Sequence, residues 1–161
     1  MRLTLVGIGL ALLTEPASVL FAVTPNSFDS VTLERSPCFG ACSAYTVEIK
    51  GNGEVRFNGK SNVAAKGERH GKASASDIEF LNSAIKRVDF SNLRDSSAEE
   101  SDGCNDMLAK PSLSIKVSAG GATKAVEYQF GCQAGLATSN ISWLADTIDE
   151  VGNTYQWVGV Q

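Results

Sequence analysis

The chain has 161 residues, 43% of them hydrophobic and 20% charged, with a formal net charge of −4 and an isoelectric point of about 5.0. That length fits one domain with a sizeable core. The mild acidity argues against nucleic-acid phosphates or anionic membrane surfaces as partners, since both call for clustered lysine and arginine.

The first 22 residues read as a secretory signal peptide: Arg2 supplies a positive start, Leu3 to Leu13 an apolar run, and Thr14-Glu15-Pro16 a break. Cleavage is expected after Ala22, leaving residues 23–161 as a single exported domain, periplasmic or secreted. Glu15 and Pro16 interrupt the run before it reaches the ~20 apolar residues of a membrane span, so no stable span is expected after cleavage. Cys38 is the first cysteine, so a lipoprotein anchor is not expected at the end of the signal.

Export changes the reading of Cys38, Cys42, Cys104 and Cys132. Outside a reducing cytosol four cysteines suggest two disulfides, with three possible pairings. Cys38–Cys42 and Cys104–Cys132 are favoured. The first pair can close locally around Gly40. The second would tie a long acidic loop to the end of the last strand.

In chain order, Val31–Arg35 alternates apolar and polar residues and reads as a short strand. Ser43–Lys50 alternates cleanly, with Tyr45, Val47 and Ile49 on one face. Gly51-Asn52-Gly53 is a strong hairpin signal, after which Val55 and Phe57 return on the same face. A weaker, polar edge strand is expected within Asn62–Lys72. Ser76-Asp77-Ile78-Glu79 fits a capping box that opens a helix, with Ile78, Leu81, Ile85 and Val88 as its buried stripe. Phe90 and Leu93 follow as core plugs. Residues 96–111 form a long, irregular, acidic segment. Leu113, Ile115 and Val117 alternate, Ala119-Gly120-Gly121 turns, and Val126, Tyr128 and Phe130 complete a second hairpin. A last helix over Ser139–Val151 buries Ile141, Leu144, Ala145, Ile148 and Val151 and stops at Gly152-Asn153, with Trp157 and Val158 tucked into the core. Strands grouped in this way predict an α+β fold: an antiparallel sheet of five to six strands with two helices on one face.

Three fragments, "VTLERSPCFGACSAYTVEIKGNGEVRFNG", "GGATKAVEYQFGC" and "LADTIDEVGNTYQWVG", resemble a bacterial family of exported domains of unknown function. Its pattern runs Arg, a gap, Pro-Cys-Phe-Gly, a residue, Cys-Pro, a residue, Tyr, then a Gly-bearing hairpin and a late Ile-Asp helix followed by Trp. Here Ser43 stands where that pattern has proline. The resemblance implies export and an α+β fold and brings no catalytic role.

Several chemistries can be weighed on residue types. His70, the single histidine, lies in a polar stretch without a nucleophile elbow, so a catalytic triad finds no support. Cys38, Cys42 and His70 could form a soft Cu(I) site, and Cys38 with Cys42 could exchange thiols and disulfides. The Cu(I) site lacks the helix N-terminus that would lower the thiol pKa, because Cys42 runs into a strand, while exchange needs an accessible, strained or low-pKa pair, for which the short ring supplies strain and Arg35 is the nearest cation. Glu99, Glu100, Asp102 and Asp106 crowd the acidic segment but lack the full Ca²⁺-loop pattern, and a solvated charge run accounts for them. No cofactor is implied. The expectation is a non-enzymatic, disulfide-stabilised binding or envelope-structural module. Its partner would be a protein or an envelope component, met by a polar sheet face carrying Thr46, Glu48, Lys50, Arg56, Thr123, Glu127 and Gln129. The alternative is a thiol-redox or Cu(I) protein using Cys38 and Cys42.

Overall fold

A computed structural model describes residues 28–38, 40–95, 112–129 and 136–159. The expected signal peptide, the acidic segment, Phe39, Cys104, Phe130 and Cys132 lie outside the described residues.

Within them, β1 (Ser30–Arg35), β2 (Ala44–Lys50), β3 (Glu54–Ser61) and β4 (Gly67–Lys72) form a meander. Helix α1 (Ala75–Arg87) and a 3₁₀ turn (Phe90–Asn92) follow. The hairpin of β5 (Ser112–Ala119) and β6 (Ala122–Gln129) leads to α2 (Leu136–Val151) and a one-turn helix α3 (Tyr155–Val158). The strands make one antiparallel sheet in the order β4-β3-β2-β1-β5-β6. The fold is α+β, with β1 near the middle, flanked by β2 and β5.

Alternation decides which face each side chain joins. Val31, Leu33, Val47, Ile49, Val55, Phe57, Leu113 and Ile115 are almost wholly buried beneath Ile78, Leu81, Leu144 and Ile148 of the two helices. The opposite face carries Thr32, Glu34, Thr46, Glu48, Lys50 and Arg56, as a one-sided antiparallel sheet requires. Arg87 of α1 lies 4.9 Å over the Trp143 ring of α2, joining the two helices at their rims.

Two glycines are dictated by close approach. At the β2–β3 turn Gly53 has φ +85°, and a Cβ there would stand 2.6 Å from the Ala73 carbonyl oxygen. On β4, a Cβ at Gly71 would lie 3.0 Å from the Trp157 ring, so the glycine makes room for the indole. Trp157 stacks at 5.2 Å on Phe57, which lies 5.2 Å from Tyr45, giving an aromatic row across β2 and β3.

The first helix begins two residues earlier in its capping frame than the sequence suggests. Ser74, not Ser76, is the N-cap: its hydroxyl accepts from the Asp77 amide, and the Asp77 carboxylate accepts from the Ser74 amide. The sequence holds two overlapping Ser-x-x-acid frames. The earlier one wins next to the Ala73 amide, which donates to the Gly53 carbonyl and fixes where the chain leaves β4. The Ser74 hydroxyl, which donates to the Asp77 carboxylate at 2.6 Å, and then the Ser74 amide hold the Asp77 carboxyl below its usual pKa. In the predicted stripe Ile78, Leu81 and Val88 are buried, Ile85 only half, and Ala84 joins them. Val117 of β5 is likewise half-buried. Helix α2 starts at Leu136 rather than Ser139 and ends where predicted. The α3 turn was not foreseen.

Candidate functional site

The chemistry concentrates at one end of the sheet, where the β1–β2 connection, the β3–β4 turn and the end of α2 meet. Arg35 closes β1 and Tyr45 is the second residue of β2, and the two are direct partners in the ladder. Both follow the alternation that points Leu33 and Val47 to the core. Arg35 therefore reaches under the helix layer instead of into solvent.

Its target is Asp149 on α2. One carboxylate oxygen, Oδ2, accepts from Arg35 Nε at 2.9 Å and Nη2 at 2.7 Å. The other, Oδ1, accepts from the Tyr45 hydroxyl and the Thr154 hydroxyl, each at 2.8 Å. Asp149 is 3% exposed, so this charge is out of water. Four donors fill the roughly four lone-pair positions of a carboxylate, which is the condition under which a buried charge is tolerated. Arg35 Nη2 also pairs at 2.9 Å with Asp146, which faces solvent one turn earlier.

The electrostatics follow. Burial alone would lower the Arg35 pKa, but the Asp149 carboxylate outweighs it and holds the guanidinium firmly charged. Burial, reinforced by the neighbouring Asp149 charge, pushes the Tyr45 phenol well above its ordinary range, so it stays a donor. Exposed Tyr155 is pushed up as well, first by partial burial and then by Asp149 and Asp146.

Thr154 reaches Asp149 because of how α2 ends. Asn153 adopts φ +48°, the Asn153 amide donates to the Glu150 carbonyl, and the Thr154 amide donates to the Asp149 carbonyl. This Schellman arrangement folds the chain back so that Thr154 holds Asp149 through both backbone and side chain.

Above the network, Cys38 and Cys42 are joined in a disulfide with Cα atoms 5.6 Å apart. Pro37, Gly40 and Ala41 are exposed around it, and the two cysteines are half-buried. The loop is fastened to the β3–β4 turn. The Asn62 side-chain amide donates to the carbonyls of Cys42 at 3.1 Å and Gly40 at 3.4 Å, and the Ser43 hydroxyl donates to the Asn62 carbonyl at 2.7 Å. A bulge between Ala44 and Tyr45 in the β2–β3 ladder lies at the same place.

The remaining candidates are scattered. His70 is an exposed residue of edge strand β4, with its Nε2 3.3 Å from Glu68. Cys38 and Cys42 are bonded to each other, and among the described residues no three His, Cys, Asp or Glu side chains gather as metal ligands would. The Cys104–Cys132 pairing and the acidic cluster Glu99, Glu100, Asp102 and Asp106 lie outside the described residues. Of the expected polar face, Arg56, Thr123, Glu127 and Gln129 are exposed and Thr46, Glu48 and Lys50 half-exposed. Among the described residues no helix is long and apolar enough to cross a membrane.

Sequence reasoning on residue types missed Arg35, Tyr45, Asp149 and Thr154 as a unit. The signal was present, because Arg35, Tyr45 and the Ile148-Asp149 step all sit in the fragments that carry the family resemblance. A search of curated proteins found no match. The model of a domain of unknown function, DUF6438, matches residues 29–152, which take in β1, the cysteine loop, both hairpins and all of α2, and the chain belongs to that family.

Proposed function

We propose that this chain is an exported, non-enzymatic domain, stapled by disulfides, that serves as a binding or envelope-structural module. The observation that carries this reading is the saturated Asp149 carboxylate. With four donors in place it has no lone pair to spare for a substrate proton, and Arg35 and Tyr45 are committed to it. A general base or a nucleophile activated by this cluster would first have to break the contacts that hold α2 to the sheet. The same residues support the staple over the redox alternative. Arg35, the cation nearest Cys38 in sequence, is neutralised by Asp149 and Asp146 and does not stabilise a thiolate.

The exposed loop around Pro37, Gly40 and Ala41 and the polar face of the sheet are the surfaces offered to a partner protein or envelope component. The test uses the full chain recovered from an oxidising compartment, with cysteine-containing peptides weighed before and after a mild monothiol reductant and after denaturing reduction. Both pairs, Cys38–Cys42 and Cys104–Cys132, should be closed and should resist the monothiol. Release of Cys38 and Cys42 alone under the monothiol, or their recovery with bound copper, would replace this reading with a thiol-redox or Cu(I) protein.

A further inference from the structure

The contacts at this end of the sheet form a closed circuit. From the disulfide loop, Asn62 leads to the β3–β4 turn. There the Ala64 and Ala65 amides donate to the Val158 and Trp157 carbonyls of α3 at 3.0 and 2.8 Å. The Trp157 and Val158 amides donate to the Thr154 carbonyl, and the Thr154 hydroxyl donates to Asp149. Asp149 in turn is held by Arg35 and Tyr45, the residues at the two stems of the disulfide loop. Each link depends on the chain path set by its neighbours. Arg35 and Tyr45 face each other across the β1–β2 ladder at the two stems of the disulfide loop, so the grip on Asp149 and the loop share the same stems. Asn62 donates to the carbonyls of Gly40 and Cys42, both residues of the ring that the Cys38–Cys42 disulfide closes.

We propose that the Cys38–Cys42 disulfide is energetically coupled to the Asp149 network, so that reducing it loosens the docking of α3 and weakening the network eases its reduction. The reductant is a small-molecule dithiol. One thiolate attacks a cystine sulfur and breaks the S–S bond, forming a mixed disulfide. The second thiolate displaces the remaining cysteine. Two cysteine thiols form as the dithiol closes to a cyclic disulfide, giving up two electrons and two protons. Coupling between two sites is reciprocal, which gives two independent readouts. The proposal holds whatever partner the loop meets, so its failure is separable from failure of the binding-module reading.

The experiment titrates the folded full chain with dithiol and follows Cys38 and Cys42 by differential alkylation and peptide mass. Tyr45→Phe removes one link of the circuit and keeps the ring that packs on Phe57. Ser74→Ala removes a hydrogen bond at the α1 cap, at the opposite end of the sheet, and controls for a general loss of stability. Tyr45→Phe should lower the dithiol concentration for half-reduction by about fivefold, the lower end of ordinary site-to-site coupling, while Ser74→Ala leaves it in place. On the reduced wild-type chain, amide exchange at Ala64 and Ala65 should rise by a similar factor, with α1 unchanged. Equal midpoints for Tyr45→Phe and the wild type, or equal shifts for the two variants, would overturn the coupling. So would unchanged exchange at Ala64 and Ala65 after full reduction.

Discussion

Two groups of ion pairs in this molecule share their geometry and differ in their surroundings. On the open face of the sheet, Lys60 pairs with Glu34 at 2.5 Å, and Glu54 joins Lys50 and Arg56 at 3.0 and 2.9 Å. Under the helix layer, Arg35 meets Asp149 at 2.7 Å. The Lys60–Glu34 side chains are 45% and 47% exposed, whereas Asp149 retains 4% of its side-chain exposure. In water a well-formed pair contributes little, because solvent screens it and two long side chains are immobilised. In the interior the same distance commits the structure: a partner removed leaves a charge with nowhere to go. Distance alone therefore does not rank these contacts, and burial does.

The sharpest way to break the comparison is Asp149→Ala. It strands Arg35, Tyr45 and Thr154 together, and unfolding by urea should show a loss of about 3–5 kcal/mol, the cost of breaking a buried pair. Equal stability would mean that the guanidinium escapes to solvent. Replacing both Cys38 and Cys42 by serine removes a short loop closure together with its coupling to the network, and the loop closure is the larger share. The expected loss is roughly 2 kcal/mol from chain entropy, read in the same unfolding experiment.

Tyr45→Phe should cost about 1.5–3 kcal/mol at neutral pH, as a hydrogen bond to a charged group does. Its pH dependence sharpens the point. The phenol pKa is raised in the folded state above its ordinary value of 10.0. Its contribution is therefore complete below about pH 10, where the unfolded phenol also holds its proton, and declines as pH rises toward the folded value. The stability gap between the wild type and Tyr45→Phe should narrow above that pH. A gap that widens there would reverse the assignment. At the bottom of the scale, Lys60→Ala should move stability by no more than about 0.5 kcal/mol, and added salt should erase even that.

Much of the sheet was legible because its residues obey one local rule. Period-two alternation in Tyr45-Val47-Ile49 and Leu113-Ile115, with Asn52-Gly53 and Gly120-Gly121 between paired runs, fixed both hairpins before any tertiary contact was known. Helix α2 was readable for the same reason at helical spacing. The cap of α1 was misplaced because Ser74 and Ser76 offer equivalent chemistry, and a tertiary contact at Gly53 chooses between them. Helix α3 was not foreseen because its single turn is too short to carry a period. The Asp149 network was illegible from periodicity for a different reason. Asp149 and Thr147 are buried beside a stripe of apolar residues, and a pattern based on hydrophobicity assigns such positions to solvent. Only the shared occurrence of Arg35, Tyr45 and Asp149 in the resembling fragments pointed to them.

The Arg35–Tyr45–Asp149–Thr154 cluster is a buried structural clamp, and the similar-looking surface pairs are not. Urea unfolding of Tyr45→Phe and Lys60→Ala, side by side at neutral pH, tests it with minimal disturbance to packing. A loss for Tyr45→Phe at least about 1 kcal/mol larger than for Lys60→Ala is the predicted result. Equal losses in the two variants would contradict the clamp.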